Sequence, residues 1–189
     1  MKQRFSTTHL NLRAFAQSAG QLADNENLTR YERVARECHG GGQGALVGWS
    51  ARGEMRPGHL GQEVVWLHLR ADASAPMICQ RCLEAVDVPL LVDRSFRFVA
   101  DEETAAAQDD EAEEDLLVLQ PDFNLHELLE DELVLALPLI PRHDVCPNEV
   151  PLQAVDPDFG VSVAGRPNPF AVLKRTKLEE KEEGGSAGS

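Results

Sequence analysis

From Ala45 to Ala100 the apolar residues recur with a period near two, and this constrains the fold more than any other feature of the chain. Ala45–Arg52 (ALVGWSAR), Glu63–Ala71 (EVVWLHLRA), Ala85–Val92 (AVDVPLLV) and Ser95–Ala100 (SFRFVA) read as strands. The turn-like Arg56–Gly61 (RPGHLG) separates the first two, and Asp72–Pro76 (DASAP) follows the second. Links this short join neighbouring strands, so the expected arrangement is an antiparallel meander. Pro89 has no N–H to give to a ladder, which calls for an edge position or a bulge.

Helices are expected on either side of this sheet, making the fold class α+β. Asn11–Ala19 (NLRAFAQSA) stops at Gly20, and Thr29–Cys38 (TRYERVAREC) stops at the glycines of Gly40–Gly44. That glycine cluster lacks the Gly-Lys-Ser/Thr ending of a phosphate loop and reads as a flexible joint. After the sheet, Leu116–Gln120 is a short strand, and Asn124 caps a helix over Leu125–Leu137, with Glu127 placed for a capping box. Its apolar residues widen from one face to nearly all round, so its second half is expected to be buried. Pro138 and Pro141 end it. The domain reading is a helical segment at 1–40, one α+β domain at 41–178 and a disordered tail at 179–189 (EEKEEGGSAGS). Inside the domain, 101–115 (DEETAAAQDDEAEED) holds nine acidic residues in fifteen and is expected to be a solvated, disordered loop rather than a nucleic-acid mimic.

The net charge of −14 is unevenly spread: the first 100 residues carry 12 basic and 10 acidic side chains, the rest 6 and 22. Nucleic-acid affinity comes mainly from neutralised phosphates, so such a chain is not a general RNA binder by charge, and no dense Lys/Arg cluster marks a basic face. No apolar run approaches the ~18 residues of a membrane span, and Met1–Leu10 lacks the apolar core of a signal peptide. A cytoplasmic protein with no membrane contact is expected.

Four cysteines in that compartment are reduced thiols or metal ligands rather than disulfides. Cys79 and Cys82 form C-x-x-C; His143 and Cys146 form H-x-x-C just beyond Pro141. Each pair can grip one ion from a tight turn, and three cysteines with one histidine make a structural zinc set. One zinc ion there would close a long loop and fasten the helix exit to the sheet. The competing readings are small buried hydrophobes with a surface histidine, and a redox pair. The redox reading is weakened because Cys82 leads into a strand-like run, not a helix whose N-terminus would activate a thiol. Cys38 and His39 are alternative ligands on a loose, glycine-flanked anchor.

Nothing in the chain reads as an active site. Glu127, Glu130, Asp131 and Glu132 could do acid–base work, but they occupy the first turns of a helix, where its dipole already favours negative charge. There is no H-E-x-x-H, G-x-S-x-G, Walker loop or dinucleotide fingerprint. The chain is therefore not expected to be an enzyme or to take a small-molecule substrate.

A set of motifs in one order resembles the YceD family. It runs through Cys79-Gln80-Arg81-Cys82, Glu130–Pro138 (EDELVLALP), Pro141, His143 and Cys146, and ends in Pro167–Leu173 (PNPFAVL). The likeness covers about residues 79 to 175, and Glu32-Arg33-Val34 is its clearest point further upstream. It implies a role in the synthesis, processing or stability of large-subunit (23S) ribosomal RNA, and no established catalytic residue. Any bound metal would then stabilise rather than catalyse. The implied partner is large-subunit rRNA, or a ribosomal or assembly protein. Lys174, Arg175 and Lys177 put three positive charges on an otherwise acidic half, and Asn168–Leu178 is the expected contact segment; packing of PNPFAVL onto the core is the alternative. An accessory factor that acts by binding is the leading reading. A zinc-stabilised protein-interaction adaptor with no direct RNA contact is the second, and an RNA-processing enzyme the third.

Overall fold

The computed structural model describes residues 5–58, 61–109 and 112–148, all within the first of two units that divide at Glu149/Val150. The fold is α+β, as expected. Five strands, β1 (Gln21–Asn27), β2 (Leu46–Pro57), β3 (Glu63–Ile78), β4 (Ala85–Val99) and β5 (Asp115–Val118), form one sheet in sequence order. Four helices accompany them: α1 (Leu12–Gln17), α2 (Glu32–Glu37), α3 (Glu102–Gln108) and α4 (Leu125–Leu135). The first four strands are an antiparallel meander, whereas β5 runs parallel to β4.

The period of two carries straight into burial. On β3, Val65, Leu67, Leu69, Ala71, Ala75 and Met77 face inward, while Arg70, Asp72 and Ser74 are exposed. Phe15 of α1, Val34 of α2, and Leu125, Leu129 and Leu133 of α4 join these inward residues in one core. On the opposite face a helix touches the sheet at the β4 side, where Arg97 donates to the Gln108 side chain at the end of α3 at 2.7 Å.

Several expectations need correction. Asp72–Pro76 is no turn: alternation continues through it, with Ala71, Ala73 and Ala75 on the core side, and β3 runs on to Ile78. Arg56 and Pro57 likewise complete β2. The two runs at 85–92 and 95–100 are one strand, β4, because exposed Asp93 and Arg94 do not interrupt the ladder. The segment 1–40 is not purely helical, since β1 pairs along β2 there. The acidic stretch 101–115 is not a structureless loop. The Asp101 carboxylate accepts from the Thr104 N–H at 2.8 Å and caps α3, with Glu102 and Glu103 in its first turn beside three alanines. The expected burial of the second half of 125–137 holds only in part: Leu133 is buried and Val134, Ala136 and Leu137 pack partly against the core, but α4 ends at Leu135, which is 76% exposed. The expected helix at Pro169–Leu178 and the tail lie outside the described residues.

The feature that positions the site is the reach of the β3–β4 ribbon. Pairing with β2 stops at Ala73, but β3 and β4 stay paired from there to Ile78 and Ala85. Two strands thus project alone beyond the sheet. Pro76 and Pro89 sit in this two-stranded stretch, where each has a free edge, as Pro89 required. The tip of the ribbon is Cys79–Glu84.

A candidate metal centre at the ribbon tip

The C-x-x-C pair forms a tight knuckle, not a helix start. The Leu83 N–H donates to the Cys79 carbonyl at 2.9 Å, and the Cys79 N–H donates to the Glu84 carbonyl at 2.9 Å. Leu83 takes a left-handed conformation (φ 62°), the sharp reversal that turns both thiols to one side.

The H-x-x-C arm is brought to the knuckle by the chain leaving α4. The Gln80 N–H donates to the carbonyl of buried Pro141 at 2.8 Å, which docks the arm on the turn. Cys79, Cys82, His143 and Cys146 then converge, with all four ligand atoms within 4.8 Å of one another. Cys79 Sγ lies 3.9 Å from Cys146 Sγ, and Cys82 Sγ lies 3.4 Å from His143 Nδ1. A tetrahedral zinc ion separates two thiolate sulfurs by ~3.8 Å and a sulfur from an imidazole nitrogen by ~3.5 Å, on ordinary bond lengths. The donor set fits such an ion in both type and spacing. Cys38 does not join it: it is buried in the core at the end of α2, where burial first, and then Glu37, push its thiol up.

The surroundings orient the ligands. His143 Nε2 is 3.0 Å from the Ala85 carbonyl, an acceptor only, so the ring carries its proton there and leaves the Nδ1 lone pair facing Cys82. Burial pushes the Cys79 thiol up, but N–H groups of Cys82, His143 and Arg81 outweigh it and bring it down to about 5. Burial and the neighbouring sulfurs of Cys146 and Cys79 push Cys82 the other way, to about 11. Crowded sulfurs that cannot all ionise unaided are what a divalent cation would relieve.

Arg81, inside the C-x-x-C itself, went unassigned in the sequence reading. Its Nε donates to Cys146 Sγ at 3.0 Å and its Nη2 to the His143 carbonyl at 3.1 Å, tying both arms together. The only available signal was a basic residue between two ligand cysteines. Arg81→Ala is expected to keep the fold and weaken metal binding by about 10- to 100-fold, as losses of ligand-orienting partners do. Competition with a chromophoric chelator measures this. Arg81→Lys should recover only part of the loss, because an ammonium lacks the two-pronged donor fork.

The acidic residues of α4 are engaged elsewhere. Glu130 accepts from the Arg33 backbone N–H at 2.7 Å and pairs with its guanidinium at 3.1 Å, and Asp131 pairs with the same group. Glu132 lies 3.6 Å from Arg94, and burial is the main influence holding its carboxyl up. Only Glu127 is a free, exposed carboxylate on the first turn, so the four form no acid–base or metal constellation. Lys174, Arg175 and Lys177 lie outside the described residues.

Comparison with known proteins bears on this region directly. The family model described as "Large ribosomal RNA subunit accumulation protein YceD" matches residues 67–177, from β3 through the knuckle, α4 and the H-x-x-C arm. A protein of Haemophilus influenzae with that same description is 35% identical over 126 residues, covering 61% of this chain and 67% of its own length. No solved structure matches the chain.

Proposed function

This chain belongs to the YceD family of large ribosomal RNA subunit accumulation proteins, and on that premise we propose that it supports large-subunit rRNA by binding, not by catalysis, around one structural zinc ion. The observation that carries the reading is the closed character of the Cys79/Cys82/His143/Cys146 set. Four protein ligands leave no open position for water or substrate, the arrangement of a structural rather than a catalytic zinc. What the ion would supply is folding energy: it would hold the exit of α4 on the ribbon tip. The proposed setting is the cytoplasm; no helix among the described residues is long and apolar enough to cross a membrane.

The test is complementation in a bacterium deleted for its own family member, with the ratio of large- to small-subunit rRNA as the readout. Restoration by the intact chain, and by Glu127→Ala/Asp131→Ala, supports a binding role. No restoration by the intact chain sinks the reading. Loss confined to the carboxylate variant, with its fold intact, would make the protein an enzyme instead.

One observation favours the adaptor reading. Leu139 is 100% exposed, Val145 85% and Ile140 65%, a run of apolar side chains beside the centre. In that reading the rRNA effect is exerted through a protein held on this run.

A further inference from the structure

The face of the sheet opposite the core gathers charges that are scattered along the chain. Arg52 and Arg56 of β2 and Arg70 of β3 all point outward, with exposures of 53%, 41% and 73%. Cross-strand register sets Arg52 beside His68 and Ser50 beside Arg70. The Arg56 guanidinium lies over the Trp66 ring, 4.2 Å from its centroid, and the His68 ring lies nearly parallel to Trp66 at 6.4 Å. Glu54 organises this end, pairing with Arg52 and His68 at 3.2 Å each and with Arg56. His68 is fixed on its other side by Ser95 Oγ at 2.8 Å.

Next to this aromatic end lies a trough. Two hollows of about 900 and 500 Å³ share Ala23, Ser50, Arg70 and Asp93, so they are continuous. The residues they share include small Ala23 and Ser50 on β1 and β2, while the space above Gly48 in the larger hollow is taken by the side chains of Asn25 and Asp72.

We propose that this face binds single-stranded RNA: Arg52, Arg56 and Arg70 exchange Glu54 and Asp93 for phosphates, and the Arg56 guanidinium leaves the Trp66 ring so that a base stacks there. The inference rests on the reading of the protein as an rRNA-binding factor and names the part of it that touches RNA. Stacking is open to every base, and arginine serves both as a phosphate ligand and as a stacking plane. A duplex fits less well: Asp72 and Asp93 stand on the same face and would oppose the phosphates of a second strand. An acidic protein segment would use the arginines but not the aromatic pair or the trough. Net charge did not reveal this face, because the guanidiniums come from different strands and are balanced by Glu54, Asp72 and Asp93.

The experiment is fluorescence anisotropy of a labelled, unstructured oligoribonucleotide of about a dozen pyrimidines with the full-length chain, across a salt series. Saturable binding is expected, with a log–log salt slope of about −2 for three phosphate contacts on a single strand. Trp66→Ala should weaken it on the order of tenfold. Arg52→Ala/Arg70→Ala, at exposed positions the fold does not need, should flatten the slope to about −0.7. Unchanged affinity in both variants overturns the assignment. So does absence of oligonucleotide binding together with capture of a purified ribosomal protein on this face. Running the complementation assay beside it keeps the two readings apart. An intact chain that restores rRNA but binds no oligonucleotide overturns this surface alone. One that binds through Trp66 but restores nothing overturns the functional reading alone.

Discussion

Stripping the metal from the purified, untagged chain with a strong chelator is expected to lower its unfolding temperature by about 10 °C. The untreated protein should carry close to one equivalent of zinc. The size follows from linkage: an ion held at a thousandfold excess over its dissociation constant stabilises the folded state by about 4 kcal/mol. A chain of this length loses roughly 2–4 °C per kcal/mol. Geometry says where the loss falls. The ribbon tip is two strands wide, and the H-x-x-C arm has no secondary structure of its own between Pro138 and Asn148. Without the ion, the Gln80–Pro141 bond, the contacts of Arg81 and His143, and a bond from the Asn148 amide to Glu84 join them. Cys79→Ser/Cys82→Ser should reproduce the chelator's effect and abolish metal binding, while Cys38→Ser leaves the stoichiometry unchanged. Zinc below about a tenth of an equivalent, with no change on chelation, would return these cysteines to ordinary small side chains.

The convergence of Cys79, Cys82, His143 and Cys146 could be anticipated from the sequence because the spacing of candidate donors is local chemistry: two residues between them suffice to turn both toward one point. The meander could be read for a similar reason, since a face that must be buried writes its period into the sequence. What escaped lay where that pressure is weak. β1 (QLADNEN) is an edge strand with no fully buried residue, so nothing in its pattern announced it. Asp72, Ser74 and Pro76 have the composition of a turn, but on β3 they are merely the outward half of an alternation. The short parallel β5 has four half-buried residues and too little length to signal direction. α3 shows local capping overriding a charge count. The arginines of the sheet face are the clearest case. Alternation along β2 puts Arg52 and Arg56 on one face, but only the register of β2 on β3 brings Arg70 beside Arg52. Sequence adjacency is a poor guide to a surface that pairing creates.

The run Leu133–Leu137 is where pattern reading fails for a different reason, and two substitutions expose it. Five consecutive apolar-compatible residues cannot tell which face of a helix is inside. The structure chooses: Leu133 is fully buried with Leu125 and Leu129, spaced four apart along one side of α4, whereas Leu135 is 76% exposed. Leu133→Ala is expected to destabilise the protein by about 2–5 kcal/mol, since it removes buried methyls and leaves a cavity between α4 and the sheet. Leu135→Ala should stay within about 0.5 kcal/mol, as surface changes do, and alanine is the better helix former. Urea unfolding of the metal-loaded protein measures both. It should be done at fixed zinc, so that loss of the ion is not mistaken for loss of packing. Equal costs at 133 and 135 would mean that α4 buries a second face, the one that carries Leu135. The adaptor reading rests on Leu139, Ile140 and Val145 beyond the end of α4, so it would stand, as would the candidate metal centre and the sheet face.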